Sequence, residues 1–329
     1  MSQKRIGLIG ECMIELNGEP FGEMTHRYGG DVLNCAVYLA RAAAGKIEVH
    51  FVSAMGGDPL SQEMIRRWQT EGVHTDQVLI DPLHQPGLYL IQLDTKGERT
   101  FLYWRNNSAA HHLLHHPRYP ELLKQLSGMD VIFISGITLA ILSPQDRRVL
   151  LRDLRSLAQQ GITMLFDSNY RPALWHSPQE TRDCYQAMYA LTDLALVTNE
   201  DEAALWGDSH AEETFERLRQ SGVKQAIIKA GAEGCDYRDL RTTSAVRHIP
   251  TTPVPCVIDT TSAGDAFNAG FLAGYLTGCD TDTAARMGHQ LAGVVIRHKG
   301  AIIPDTAIRP VTDSFFQPSL ITAQGTEHV

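Results

Sequence analysis

Six short apolar runs, "RIGLIG", "VHFVSAM", "VIFISG", "ITMLFD", "LALVT" and "QAIIKAG", punctuate this chain, and each precedes a longer stretch of helical pattern. Their successive residues are apolar, so both faces of each strand must be buried, and each run ends in small or polar residues. The stretches between them, such as "DVLNCAVYLARAAA" and "PQDRRVLLRDLRSLAQQ", are amphipathic. Two-faced strands alternating with one-faced helices bury everything only if the helices cross above and below a parallel sheet. The pattern therefore predicts a doubly wound, mainly parallel α/β fold with helices on both faces. Ligands in such folds sit beyond the carboxyl ends of the strands.

One segment breaks the pattern. "GLYLIQLDTKGERTFLYWRN" alternates with period two on either side of "DTKG", which predicts a β-hairpin outside the parallel sheet. On its second arm Phe101, Tyr103 and Arg105 share one face, while Leu102 and Trp104 share the other. Strands from residues 12–28 and 87–107 are expected to form a small β-sheet lid over one edge of the core. The chain shows no internal repeat and no Pro/Ser-rich linker, so residues 1–310 read as one domain with this lid. The tail, residues 311–329, lacks periodicity and is expected to be partly disordered.

Composition narrows the function classes. With 43% hydrophobic and 20% charged residues in 329, the chain is ordinary globular material. A net charge of −9 from dispersed acids gives no basic stripe, which excludes a nucleic-acid partner. The amino terminus reaches polar Glu11 after a very short apolar stretch, and no run approaches the roughly 20 apolar residues of a membrane span. The six cysteines are scattered without a CxxC pair and read as free thiols. The expectation is a soluble, cytoplasmic protein with no membrane partner.

Candidate chemistry concentrates in "DTTSAGDAFNAGF", residues 259–271. A helix starting near Ala263 to Asp265 presents unpaired amides and the positive end of its dipole. Ser262, Ala263 and Gly264 leave that end uncrowded for a phosphate, and Asp265 stands beside it, placed to take a proton from an attacking hydroxyl. Taken alone, the stretch reads equally well as an N-capping aspartate preceded by small packing residues.

The stretch resembles the carboxy-terminal signature D-T-x-G-A-G-D of the ribokinase-like (PfkB) carbohydrate kinases, with Ser262 where that family usually has glycine. Three further motifs follow the family order. "YGGDVLN" resembles the amino-terminal Gly-Gly signature, "TNEDE" the N-x-x-E motif, and "KAGAEG" the glycine turn beside the nucleotide. The resemblance, spanning residues 6 to about 305, implies Asp265 as catalytic base and the amides of Ser262, Ala263, Gly264 and Asp265 as an anion hole. It implies Gly29, Gly30, Asp31 and Asn34 against the sugar, and Asn199 with Glu202 placing Mg²⁺ and the phosphates. Lys229, Gly231, Gly234 and Gly264, with Asn199, would contact ATP. Asp259 reads as a loop-bracing carboxylate or as part of the monovalent-cation site that some relatives have near this loop. The P-loop pattern G-x-x-x-x-G-K-[ST] is absent.

Within the family, "GECMIEL", "GLYLI", "ERTFLYWRN", "SGITLAILSP" and "DSNYRPALW" are most similar to 2-keto-3-deoxygluconate kinases. A sugar acid needs a fixed positive charge in its pocket, and arginine grips a carboxylate bidentately. Arg105 and Arg171 are the candidates, with Tyr89 and Tyr103 lining the same lid face. Arg105 also reads as a strand residue paired with a surface acid, and Arg171 as a brace for the turn before Pro172. The resemblance implies transfer of the ATP γ-phosphoryl group to the 6-hydroxyl, giving 2-keto-3-deoxy-6-phosphogluconate of Entner–Doudoroff-type breakdown. A ribokinase-like kinase for a neutral sugar such as fructose or ribose, and a non-catalytic sugar-acid binder, are the alternatives. A homo-oligomer is expected from the exposed face of a small lid sheet.

Two motifs are set aside. "HHLLHH", residues 111–116, offers histidines at i, i+4, but without further ligands it reads as a surface patch rather than a metal site. "GLIGEC" is not G-x-G-x-x-G, and Glu11 would repel a pyrophosphate.

Overall fold

The computed structural model describes residues 3–93 and 99–316. In chain order the strands begin with β1 (Lys4–Ile9), β2 (Met13–Gly18), β3 (Met24–Gly29), β4 (Ile47–Gly56), β5 (Val78–Asp81), β6 (Gly87–Leu93) and β7 (Arg99–Trp104). They continue with β8 (Val131–Ser135), β9 (Thr163–Asp167), β10 (Leu194–Thr198), β11 (Gln225–Lys229), β12 (Cys235–Asp239) and β13 (Arg247–Ile249). The large sheet runs β13-β12-β11-β10-β9-β8-β1-β4-β5. Every pairing from β5 to β11 is parallel, and only β12 and β13 are antiparallel.

The six apolar runs are the central strands β1, β4, β8, β9, β10 and β11. Their alternate side chains feed two cores. Val131 and Phe133 of β8 and Leu194 and Leu196 of β10 pack into one, with the helices Asp31–Ala43, Ala263–Leu276 and Thr281–Val295. Ile132, Ile134, Ala195 and Val197 point the other way, against the helices Pro144–Gln159 and Pro178–Tyr189. This is the doubly wound α/β arrangement, and it buries strands on both faces for the reason the sequence pattern requires. The edge strands carry no such signal. β5 and β13 are 4 and 3 residues long, and β12 reads "CDYRD" with a mixed burial pattern.

A separate four-stranded sheet has the order β3-β2-β6-β7. Its β6 and β7 pair antiparallel with Tyr89 opposite Tyr103, while β2 pairs antiparallel with β3 and parallel with β6. Tyr89, Phe101 and Tyr103 lie together on one face, with ring centroids 5.9–6.4 Å apart. The "DTKG" turn expected between β6 and β7 lies outside the described residues, as do residues 317–329 of the expected tail. Before them, the helix Asp305–Thr312 is followed by Phe315 and Phe316, which pack against the core. No helix among the described residues is long and apolar enough to cross a membrane.

Helix starts fall into two kinds. Asp58, Ser143 and Asp280 cap the helices Pro59–Thr70, Pro144–Gln159 and Thr281–Val295 by accepting a bond from a first-turn amide. The helices Asp31–Ala43 and Ala263–Leu276 begin instead at Gly30 and Ser262, with no side-chain cap. At the second of these, Ala263 N–H turns back to the Thr260 carbonyl at 3.1 Å, so the helix start beyond the carboxyl ends of the strands is free of a side-chain cap but not of every backbone bond.

The small residues of Ala263–Leu276 let it pack closely on Thr281–Val295. A β-carbon added at Gly270 would lie 2.6 Å from the Met287 carbonyl oxygen, and one at Gly274 would lie 2.9 Å from Ala284 Cα. At Gly270 the nearest atoms are all backbone, whereas at Gly274 the Met287 sulfur also stands 2.8 Å away. Gly270→Ala is therefore expected to cost about 1–3 kcal/mol of stability, although alanine is the better helix former. Urea unfolding checks this, and an unchanged or raised midpoint would rule out the close approach.

Candidate active site

Four segments distant in sequence converge at the carboxyl end of the large sheet. Asp265 sits in the first turn of the helix Ala263–Leu276 and is partly buried. Its Oδ2 accepts from Asn34 Nδ2 at 2.9 Å and from Ser262 Oγ at 2.7 Å. Asn34 belongs to the helix Asp31–Ala43, whose first residue, Asp31, accepts from Asn169 Nδ2 at 2.8 Å. Asp167, at the end of β9, accepts from Asn268 Nδ2 at 2.7 Å and from Lys229 Nζ at 3.3 Å. Lys229 ends β11 and also donates to Asn268 Oδ1 at 3.2 Å.

Gathering Asp31, Asp167 and Asp265 has an electrostatic consequence. Burial, and then the nearby Asp31 charge, raise the Asp265 pKa to about 7, against the lowering effect of the Asn34 and Ser262 bonds. Burial likewise raises Asp31. A carboxyl titrating near neutrality can accept a proton and release it again.

Ser262 occupies the left-handed region at φ 66°, ψ 12°. Glycine takes this conformation without strain, whereas a side chain there costs on the order of 1 kcal/mol. The serine keeps it while its hydroxyl holds Asp265. At Gly264 an added β-carbon would meet nothing nearer than Lys229 Nζ, at 3.9 Å. The helix start thus opens onto free space lined by a cation.

That space is a cavity of about 660 Å³. Lys229, Gly231, Gly234, Ala263 and Gly264 line its polar end, and Val254, Val257, Phe267 and Ile296 its apolar remainder. Gly231 and Gly234 bound a tight turn with positive φ. An uncapped helix start, a lysine and an apolar slot together fit a nucleotide, with phosphates at the helix and base beyond. Thr198 and Glu200 also line the cavity. Asn199 begins the helix Asn199–Trp206 between them. Glu202 faces inward: it is 1% exposed, accepts from Arg217 at 2.7 Å and from the Tyr189 hydroxyl at 3.4 Å, and burial raises its pKa to about 6. It is absent from the cavity lining, where Glu200 is the carboxylate.

On the other side of Asp265 lies the small sheet. An added β-carbon at Gly29 would sit 2.9 Å from Tyr89 Oη and 3.7 Å from Asn34 Oδ1, so these groups surround the glycine. Gly30 packs its backbone against the Glu11 carbonyl, 2.1 Å from where a β-carbon would be. The Tyr89 hydroxyl donates to Glu15. Arg105 is buried, donates to Glu11 and lies 5.9 Å from the Tyr103 ring centroid, and Ser108 also donates to Glu11. Its Nε is buried without a hydrogen-bond partner. Tyr103 is exposed. Arg171 is more than half exposed and donates to the Tyr170 carbonyl at 2.8 Å and to Asp201 at 3.4 Å. The two arginines are thus held by different elements. Asp259 accepts from Thr261 N–H at 2.9 Å and Gly300 N–H at 2.8 Å, which ties two loops together.

Sequence reasoning missed Asp167, Asn169, Asn268, Glu11 and Glu15. Asp167 ends a predicted strand, and Asn268 lies one turn beyond Asp265, so both had a positional signal. Glu11 and Glu15 had none, because their pairing with Arg105 and Tyr89 is a matter of tertiary contact. His111, His112 and His115 occupy a 3-10 helix, Ala109–His115, and His116 follows it in extended conformation, which removes the α-helical i, i+4 stacking. His112 stacks on His84 at 3.7 Å, and His115 pairs with Asp146 at 3.0 Å.

Comparison with known proteins gives the family. The profile of the pfkB family carbohydrate kinases matches residues 3–308. A 2-dehydro-3-deoxygluconokinase of Haemophilus influenzae is 50% identical over 95% of this chain and 99% of its own length. The protein of the same name from Escherichia coli K12 is 43% identical over 93% and 99%. In fold the chain is similar to a fructokinase from Xylella fastidiosa solved with ATP, at TM-score 0.80 and 22% identity over 95% of this chain and 98% of that one. It is also similar to an Escherichia coli protein assigned as a candidate ribokinase II and solved with ATP and Mg²⁺, at TM-score 0.80 and 21% identity over 95% and 99%. With its fold, its ordered motifs and a family match along nearly its whole length, the chain belongs to the PfkB family of carbohydrate kinases.

Proposed function

We propose that the protein transfers the γ-phosphoryl group of ATP to the 6-hydroxyl of 2-keto-3-deoxygluconate, the 2-dehydro-3-deoxygluconate named for its relatives. The observation that carries the mechanism is the position of Asp265 between two compartments. On one side Gly264 and Lys229 open onto the 660 Å³ cavity. On the other, Asn34, Gly29 and Tyr89 lie beneath the small sheet.

In this reading the nucleotide phosphates lie against the amides of Ser262 to Asp265, with Lys229 and the Gly231–Gly234 turn alongside. The sugar acid lies against Gly29, Gly30, Asp31 and Asn34. Asn34 and Ser262 both donate to Asp265 Oδ2 and fix its rotamer. Oδ1 then receives the hydroxyl proton as that oxygen attacks. Mg²⁺, when bound, would neutralise charge on the phosphates, with Glu200 on the cavity wall and neighbouring Asn199 as the candidates to place it, whereas Glu202 is turned away from the cavity onto Arg217. Arg105 is paired with Glu11, and what supports its assignment to the substrate carboxylate is its position beside Tyr103, just beyond the end of β7. Tyr103 and Tyr89 complete that face, and Arg171 at the exposed mouth is the second cation. A cytoplasmic setting is supported by six free cysteines, and self-association by exposed Leu102 and Trp104 on the small sheet.

The substrate claim is tested by ADP release with 2-keto-3-deoxygluconate, fructose and ribose at equal concentrations, the sugar acid being strongly preferred. Faster turnover of a neutral sugar would overturn it and leave the kinase assignment standing. Arg171→Gln, an exposed substitution, removes one charge-assisted bond of about 1.5–3 kcal/mol. The expected result is a KM for the sugar acid raised roughly 10- to 100-fold, with little change in Tm.

Asp265→Asn is expected to lower kcat by about 10²–10⁴-fold while sugar-acid binding is retained. Because the base must be ionised, kcat/KM of the wild type should fall with decreasing pH through about 7, the Asp265 pKa. Stability follows the same group with a defined sign. The unfolded carboxyl loses its proton near pH 3.9, whereas the folded one keeps it to about 7. Folding therefore weakens as pH rises between those values. The Tm advantage of Asp265→Asn over wild type should be small near pH 4 and should grow up to about pH 7. A pH-independent difference would show that Asp265 titrates normally.

A further inference from the structure

Away from the cleft, at the edge of the large sheet, His50, His74 and Asp76 each offer a ligand atom, and these atoms all lie within 4.8 Å of one another. Among the described residues they are the set that meets this condition. The backbone brings them together. His50, in β4, forms an isolated parallel bridge with His74. Phe51 N–H donates to the His74 carbonyl at 3.0 Å, and His74 N–H donates to the Val49 carbonyl at 2.8 Å. The two imidazoles stack with ring centroids 4.6 Å apart. His50 is buried, whereas His74 and Asp76 are exposed and free to adjust.

The hydrogen bonding of His50 leaves one nitrogen for a ligand. Its Nδ1 lies 2.9 Å from Gln77 Oε1, and in the tautomer that donates from Nδ1 to this oxygen Nε2 carries the lone pair. Nε2 is buried and has no hydrogen-bond partner. The Glu48 carboxylate stands 3.7 Å from it, too far for a hydrogen bond. An imidazole that donates one N–H to an oxygen and holds its other nitrogen bare has the arrangement of a metal-bound histidine. No part of the proposed phosphoryl transfer uses these residues.

We propose that His50, His74 and Asp76 bind a divalent transition-metal ion, with Zn²⁺ the best match, which clips the chain before β5 onto β4. Two imidazoles and a carboxylate suit Zn²⁺ and its neighbours rather than Mg²⁺, which prefers oxygen ligands. Glu48 or water completes four-coordination. Bonds of about 2.0–2.1 Å in a tetrahedron bring ligand atoms to about 3.3 Å apart, and rotation of the exposed His74 and Asp76 side chains closes that difference. The clip would join positions in β4 and the segment leading into β5, and so stabilise the sheet edge.

Calorimetric titration of tag-free, nucleotide-free protein with ZnCl₂, together with thermal melts, tests the site. The wild type is expected to show one saturable site and a metal-dependent rise in Tm. His74→Gln and Asp76→Asn, both at exposed positions, should each weaken binding at least tenfold and remove the Tm shift. Their Mg-ATP-dependent turnover should match wild type. Gln77→Leu, which frees His50 Nδ1, should weaken binding about 10- to 100-fold with all three ligands intact. Absence of a saturable wild-type event, or unaltered zinc affinity in the His74 and Asp76 variants, would overturn the proposal.

Discussion

The cleft depends on holding Asp31, Asp167 and Asp265 close together without letting them repel one another apart. Each has its own donors: Asn169 for Asp31, Lys229 and Asn268 for Asp167, and Asn34 and Ser262 for Asp265. Those donors come from β11, the loop after β9, and two helices on one side of the sheet. The carboxylates therefore act as fasteners between elements as well as candidate catalytic groups. Repulsion and burial that would only be a burden elsewhere move Asp265 to about 7, where proton acceptance is useful.

The helix Ala263–Leu276 shows how one element serves two ends. Its small residues further along allow backbone contact with Thr281–Val295, which fixes its axis. Its first turn is left bare, with Gly264 open to the cavity. Ser262 is a local compromise: it accepts a left-handed backbone and returns a hydrogen bond to Asp265 that glycine would lack. The bond favours the ionised carboxylate against the pull of burial.

The small sheet contributes a second buried ionic layer. Glu11 is bonded by Arg105 and Ser108, and Glu15 by Tyr89. These contacts anchor the residues nearest Gly29, so side chains proposed to meet the sugar acid are held before it arrives. Preorganisation of this kind lowers the entropy lost on binding.

The sequence by itself determined the sheet interior and singled out several of the residues that gather in the cleft. Long runs apolar on both faces call for a covered parallel sheet, and the bare entrance to an apolar helix is what an anion site would require. Asp265 and Gly264 were legible from that entrance, whereas Gly29 and Asn34 came from the resemblance of "YGGDVLN" to the family signature. The antiparallel edge formed by β12 and β13 was not, since short half-buried strands carry little periodicity. The inward turn of Glu202 and the α-helical reading of residues 111–116 likewise depended on packing. Only the tertiary structure joined Arg105 to Glu11, Tyr89 to Glu15, Lys229 to Asp167 and His50 to His74. Those pairs lie far apart along the chain, and periodicity reports which face a residue occupies but not which partner it meets across space.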